Sequence, residues 1–471
     1  MKKAIFTDTI RLTAALAVLA ATQPAAAESA EDYPGVTLGD QTAAMYLSPL
    51  WSVDGLDLPD GGDACQSMAV AGGFVYLSDS SDPGVRKLRR YDRDTGERAA
   101  DLRISYPAGM EAPEGALSHA GTDDDGTLYV WTELPDGSSP VMDIDIVDPS
   151  SGEVTRRISH DLGAILPERY ININSVHLGH PQVTGSLSDG DYELAVTETF
   201  SNAGEDALGI RLWRIPMSGG VADDPRASKL LLPSDESGGR IDAFIPVDGN
   251  ARVAVIDGSK SVVDDGLNPP MYFRVRNLGV SVNSRLTASD GTSPDPRANG
   301  VTIFHRGGHR LVVYGNRMTG RSDFAVAYWK DTSSGIDGGN IEKLWTFPAG
   351  GFGVPTGGKP ATLSAALPHA GDDSRVDIYV YSSGGGLGAY AIGDTRYSGT
   401  TDLSELKADR PAVSLRGSTV SLSEPAAIEV LSVDGRRVMR AGASTSHDLS
   451  RLPRGVYLVK VAGTVLKALI P

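Results

Sequence analysis

Apolar residues in this chain come in short runs, either alternating with polar ones or standing four or five together, and Gly- and Asp-rich turns bound the runs. Alternation with a period of two over a few residues predicts strands. Six such segments share one pattern: 74–77, 127–131, 193–196, 252–255, 310–313 and 377–380. With Leu77, Val130, Val196, Val255, Val313 and Val380 as equivalents, the repeat recurs every 53 to 67 residues. A turn such as Ala71-Gly72-Gly73 or Asp124-Asp125-Gly126 precedes each segment. A second alternating strand follows each, at 87–92, 143–148, 211–216, 272–277, 325–330 and 388–393. Outside the N-terminus no stretch carries helical periodicity. Repeats longer than about 40 residues, built from several strands and no helix, are propeller blades, each too thin to bury its faces alone. The expected fold is all-β: a six-bladed β-propeller over residues 44–403. Its sixth blade lacks an outermost strand. Pro49-Leu50-Trp51-Ser52-Val53, which echoes Lys343-Leu344-Trp345-Thr346-Phe347, is placed to supply it and close the ring.

The two ends of the chain read differently from the middle. Lys2 and Lys3 precede a short apolar run at 12–21, and Ala25-Ala26-Ala27 offers a small-residue cleavage site before Glu28. Residues 1–27 therefore read as a signal peptide, too short in its apolar run to span a bilayer, which needs about 20 residues. A segment at 28–43 leads into the propeller, and no transmembrane segment is expected in the mature chain. After a polar linker at 404–412, residues 428–438 read as two strands around the turn Asp434-Gly435-Arg436. Leu449-Ser450-Arg451-Leu452-Pro453-Arg454-Gly455-Val456-Tyr457-Leu458-Val459-Lys460-Val461 opens a third strand from a Pro-x-Gly turn, and 465–470 adds a last one. This ordered pair of motifs, over 413–471, resembles the C-terminal sorting domain of type IX secretion cargo. The resemblance implies a small β-sandwich and the type IX secretion machinery as its partner. It also implies passage through the periplasm to the outer-membrane surface or the medium.

Charge and cysteine content narrow the rest. The formal net charge is −17, while the region after Pro411 is basic on balance, so the body is more acidic than the whole. That excess argues against nucleic acid as a partner. Cys65 is the single cysteine, so no intramolecular disulfide forms, and it reads as a small buried hydrophobe.

Candidate chemistry gathers where each innermost strand begins, in a polar–small–apolar pattern: Gln66-Ser67-Met68, Glu114-Gly115-Ala116, Asn174-Ser175-Val176, Asp242-Ala243-Phe244 and Asn299-Gly300-Val301. Lys359 precedes Pro360-Ala361-Thr362 in the sixth repeat. Gln66, Glu114, Asn174, Asp242, Asn299 and Lys359 are thus expected around one mouth of the central channel. There they would face a glycan or protein ligand, or cap strand ends and hold channel water. Glu114 and Asp242 also carry the alternative of a secreted carbohydrate-active enzyme, a glycoside hydrolase or lyase using paired carboxylates. His119-Ala120-Gly121-Thr122-Asp123 and His369-Ala370-Gly371-Asp372-Asp373 are near copies, expected at equivalent turns on the opposite face. No cofactor is implied, and calcium is the one ion suggested by clustered carboxylates, at 123–125 and 264–265. There is no G-x-S-x-G elbow, H-E-x-x-H pair or phosphate loop. The resulting expectation is an exported propeller that binds and does not turn over its ligand.

Overall fold

In a computed structural model of the 471-residue chain, the structure describes residues 28–39, 43–54, 65, 67–82, 84–115, 117–132, 141–165, 173–179, 181–202, 208–222, 230–233, 240–248, 251–257, 271–276, 279–286, 300–318, 321–331, 335–353, 362–397, 413–416, 419–432, 437–461 and 464–470. They fall into two compact units, divided between Gly399 and Thr400.

The first unit follows the repeat. After β1 (Tyr46–Asp54), one antiparallel sheet contains β2 (Met68–Ala71), β3 (Phe74–Ser78), β4 (Lys87–Asp92) and β5 (Leu102–Arg103). The second holds β6 (Leu117–Thr122), β7 (Leu128–Thr132), β8 (Val141–Val147) and β9 (Val154–Asp161), followed by a single helical turn, Leu162–Ile165. In the third, β10 (Ile173–Leu178) and β11 (Gln182–Ser186) both pair with the long β12 (Asp191–Asn202). β13 (Leu208–Ser218), β14 (Val221–Ala222) and β15 (Leu230–Pro233) complete it. The fourth comprises β16 (Arg240–Asp248), β17 (Ala251–Asp257), β18 (Met271–Arg276) and β19 (Gly279–Arg285). The fifth comprises β20 (Val301–Arg306), β21 (His309–Met318), β22 (Arg321–Trp329) and β23 (Ile341–Gly353). The sixth has β24 (Thr362–His369), β25 (Asp372–Ser382) and β26 (Gly386–Gly393) from one end of the body, and β1 from the other. The expected closure is present: Tyr46 to Asp54 pair antiparallel with Gly393 back to Gly386.

The sheets form a ring. Inner strands touch in the order β2, β6, β11, β16, β20, β24 and back to β2. A β-propeller follows from this cyclic order of antiparallel sheets, each with its first strand innermost. Burial explains why the ring holds, because the apolar clusters lie at the seams. Trp131 packs with Tyr192 and Trp213 between the second and third sheets, and Tyr272 with Trp329 between the fourth and fifth. Phe347 packs with Tyr390 between the fifth and sixth, and Trp51 with Tyr91 and Tyr381 between the sixth and first. Single side chains also reach across to a neighbour's backbone: Trp51 Nε1 donates to the Arg93 carbonyl (2.9 Å) and Tyr76 Oη to that of Pro149 (3.1 Å). Arg310 Nη2 donates to the Val247 carbonyl (2.7 Å), and Arg306 Nε to that of Ser374 (2.9 Å).

In the second unit, β27 (Val413–Arg416), β28 (Thr419–Ser432), β29 (Arg437–Asp448), β30 (Gly455–Val461) and β31 (Thr464–Ile470) are linked through β28. The small sandwich expected here is, in hydrogen-bonding terms, one five-stranded ladder, with register breaks in β28 between Ser421 and Ala426 and again before Ile428. Val420, Ile428, Val430, Leu449, Tyr457 and Val459 form its core. Tyr457 Oη donates to the Pro453 carbonyl (2.9 Å), and Leu452 N–H to that of Leu449 (3.0 Å), so the Leu-Pro-x-Gly stretch is a closed turn in front of β30. Gly455 opens β30, and Lys460 stands exposed opposite Glu429. Asp434, Gly435 and Arg436 lie outside the described residues.

Candidate functional site

The candidate site is the end of the channel where the inner strands begin. Of the six residues expected there, Gln66, Asn299 and Lys359 lie outside the described residues. Glu114 is exposed, in the loop before β6. Asn174 and Asp242 are placed on β10 and β16 by their backbones, each in a ladder irregularity. Ile173 and Ser175 pair with Asn202 and Ser201, and Ile241 and Ala243 with Ile256 and Val255, so the residue between is left over. The second sheet repeats this bulge, but at Ser118, between Leu117 and His119. In the second sheet the residue left over in the ladder is thus Ser118, and Glu114 lies in the loop upstream. Asp242 sits beside Val255, and Asn174 lies near the far end of β12.

Between the first and second sheets the rim is held by arginines. Arg86 Nη1 donates to Thr132 Oγ1 (2.6 Å), while its Nη2 donates to the carbonyls of Pro113 and, at 3.2 Å, Gly115. One guanidinium thus grips both carbonyls flanking Glu114. Gly115 has φ +108°, backbone that favours glycine, which lets the loop turn into β6. Tyr106 lies between two guanidinium groups, 5.8 Å from Arg86 and 5.6 Å from Arg157, and its hydroxyl donates to Asp145 Oδ2 (3.0 Å). Arg157 closes the arrangement on Asp145 through Nε (2.7 Å) and Nη2 (3.0 Å). Burial and the Asp145 charge together hold the Tyr106 phenol well above its ordinary range.

Within the first sheet, and from it to the second, the rim is polar and tied by hydrogen bonds. Ser67 N–H donates to Ser78 Oγ (3.1 Å), and Ser67 Oγ accepts from the Ala120 amide of the next sheet (2.7 Å). Asp79 is fully buried and takes Arg89 Nε (2.8 Å), Lys87 Nζ (3.2 Å) and the Ser81 amide (3.0 Å). Burial alone would raise its carboxyl, but the Ser81 and Arg89 hydrogen bonds outweigh it and bring it down to about 2. Cys65 is buried as expected, and burial pushes its thiol up to about 12, which removes it as a nucleophile at neutral pH. Ser322 and Ser382 share a hydroxyl–hydroxyl hydrogen bond between the fifth and sixth sheets.

Asp79 is a fixed anion with committed cationic partners, unsuited to exchanging protons near neutrality, and Asp145 is taken up by Arg157 and the Tyr106 hydroxyl. Glu114 is the rim carboxylate that faces solvent on a held loop. The Asp242 side chain lies outside the described residues, and a whole sheet, the third, stands between these two positions in the ring. The sequence did not single out Arg86, Tyr106, Asp145 or Arg157. These residues belong to four separate strands and loops, and no local spacing marks them.

Two other motifs settle into structural work. Asp123 Oδ2 accepts the Leu187 amide and Asp124 Oδ2 the Gly185 amide, both at 2.9 Å, so these carboxylates join the second sheet to the third. The near-copied histidines are not equivalent, contrary to expectation. His119 sits inside β6 opposite Trp131, whereas His369 ends β24 and its Nδ1 pairs with Asp377 Oδ2 (2.7 Å). Among the described residues no group of three or more His, Cys, Asp or Glu is arranged to hold a metal ion. Residues 264–265 lie outside them.

Comparison with known proteins adds only distant likeness. No family model matches the sequence, and no curated protein matches it. Among solved structures, a subtype N10 neuraminidase-like protein of A/little yellow-shouldered bat/Guatemala/060/2010 is 10% identical, with a TM-score of 0.36, covering 74% of this chain and 98% of that one. A neuraminidase-like protein from A/bat/Guatemala/164/2009 is 9% identical, with a TM-score of 0.38, covering 79% and 96%. Kuenenia stuttgartiensis hydrazine synthase is 14% identical, with a TM-score of 0.29, covering 69% and 79%.

Proposed function

We propose that this chain is an exported β-propeller that binds a polar ligand, a glycan or a partner protein, at the channel mouth where its inner strands begin. Its C-terminal unit serves as a type IX sorting domain that addresses the body to the cell surface or the medium. The observation that carries the binding reading is the Glu114 loop: an exposed carboxylate whose two flanking carbonyls are gripped by Arg86. Pre-organised polar groups on a rigid scaffold bind without paying to order a loop. The committed state of Asp79, held well below the usual carboxylate range by Ser81 and Arg89, favours recognition over acid–base turnover at that residue. The export reading is supported by the leader at 1–27 and by the paired C-terminal motifs.

Two experiments test the two halves. Crystals of residues 28–410 soaked with a mixed pool of host and microbial oligosaccharides should show sugar density touching Glu114 or its loop. Saccharide cleavage abolished by Glu114→Gln or Asp242→Asn would replace binding with catalysis. For export, deleting 413–471 in the native host should trap the body in the periplasm; unchanged surface display would refute the sorting role.

A further inference from the structure

The first residue after the leader is built into the propeller. Glu28 Oε1 accepts the Ala349 amide (2.6 Å) and the Tyr33 hydroxyl, and Oε2 accepts the Tyr390 hydroxyl (2.9 Å). Ala349 belongs to β23 in the fifth sheet and Tyr390 to β26 in the sixth, so one carboxylate bridges that seam. The residues that follow are bound just as closely. Ser29 caps the turn Ala30–Asp32, with Ser29 N–H donating to Asp32 Oδ2 (2.8 Å). Trp345 Nε1 donates to the Pro34 carbonyl (2.8 Å), Val36 bridges Met45, and Tyr33 and Leu38 are each only 2% exposed, within the apolar cluster of that seam. The strap then runs directly into the closing strand β1.

The groups facing the Glu28 carboxylate are the Tyr33 and Tyr390 hydroxyls, the Ala349 amide and, nearby, the like charge of Asp32. No cation among the described residues pairs with it. Burial raises its pKa most; the Ala349 amide and Tyr390 pull the other way, and Asp32 adds to the rise. A partly buried anion held by hydrogen bonds alone is stabilised by any positive charge placed within about 4–6 Å.

We propose that processing between Ala27 and Glu28 completes this seam: hydrolysis by water leaves a carboxylate on Ala27 and an α-ammonium on Glu28, and that ammonium compensates the carboxylate pinning the fifth sheet to the sixth. This inference rests on the export reading. The mature N-terminus is then a working part of the ring.

The test compares full-length mature chains 28–471 with a free or an acetylated α-amine at Glu28. At pH 7 the free amine should unfold at a midpoint about 1–3 °C higher, and Glu28→Gln should abolish that difference. An acetylated chain of equal or higher midpoint overturns the proposal. N-terminal sequencing of the exported protein separates the two readings. A start at Glu28 supports both; a start beyond Tyr33 overturns the pinning role in the working protein; and a leader retained on folded protein inside the cell overturns export and processing, while the midpoint comparison still stands.

Discussion

At the scale of single residues, the seams between sheets concentrate the sensitivities. Gly96 has φ +71°, and a Cβ there would lie 2.5 Å from Trp51, so Gly96→Ala is both strained and crowded. It should cost roughly 1–3 kcal/mol in chemical denaturation. His160 lies buried between the second and third sheets, with its Nε2 3.1 Å from Tyr192 Oη. Burial presses its pKa from 6.5 to about 4, so the folded state holds it neutral where the unfolded chain would protonate it. Its contribution is therefore complete above about pH 6.5 and lost as pH falls toward 4, amounting to at most about 3 kcal/mol. Unfolding midpoints measured from pH 7 to 4 should fall more steeply for the native chain than for His160→Gln, and parallel curves would exclude this role. Single residues were where the sequence was least legible. The amides of Leu187 and Gly185 that meet Asp123 and Asp124 come from another repeat, which no local spacing shows. Glu114 shares a polar–small–apolar triplet with Asp242, and the ladder bulge at Ser118 downstream of it is visible only in the fold.

At the scale of elements, the strands were legible because alternation survives in every sheet: 87–92 is β4 to the residue, and the other five predicted second alternating strands fall on β8, β13, β18, β22 and β26. Closure by β1 was legible as well, since a missing outer strand in the last repeat matched a spare apolar run before the first. The split of the third inner strand into β10 and β11, both pairing with the long β12, was not. β1 also predicts its own weak point. Trp51 is 2% exposed, packs against Tyr379 and donates to the Arg93 carbonyl, tying the closing strand to the first sheet. Trp51→Ala should cost about 3–5 kcal/mol by equilibrium unfolding, the range for an aromatic removed from a core. A loss below about 1 kcal/mol would mean that the seam holds without its anchor.

At the scale of the whole molecule, two compact units with separate cores suggest separate cooperative transitions. Calorimetry of the mature chain should resolve two, and removing 400–471 should leave the larger one at the same midpoint; a shift of more than a few degrees would show that the units depend on each other. We propose a division of labour along this partition, with a body that binds at its mouth and a tail that addresses. The most direct test is binding of purified body, residues 28–410, to immobilised host and microbial glycans and surface proteins, run beside Arg86→Ala and Glu114→Ala. The account expects a saturable ligand whose affinity falls at least about tenfold, or 1.4 kcal/mol, in both variants while their unfolding midpoints stay close to the parent's. A ligand bound equally well by all three proteins would contradict it.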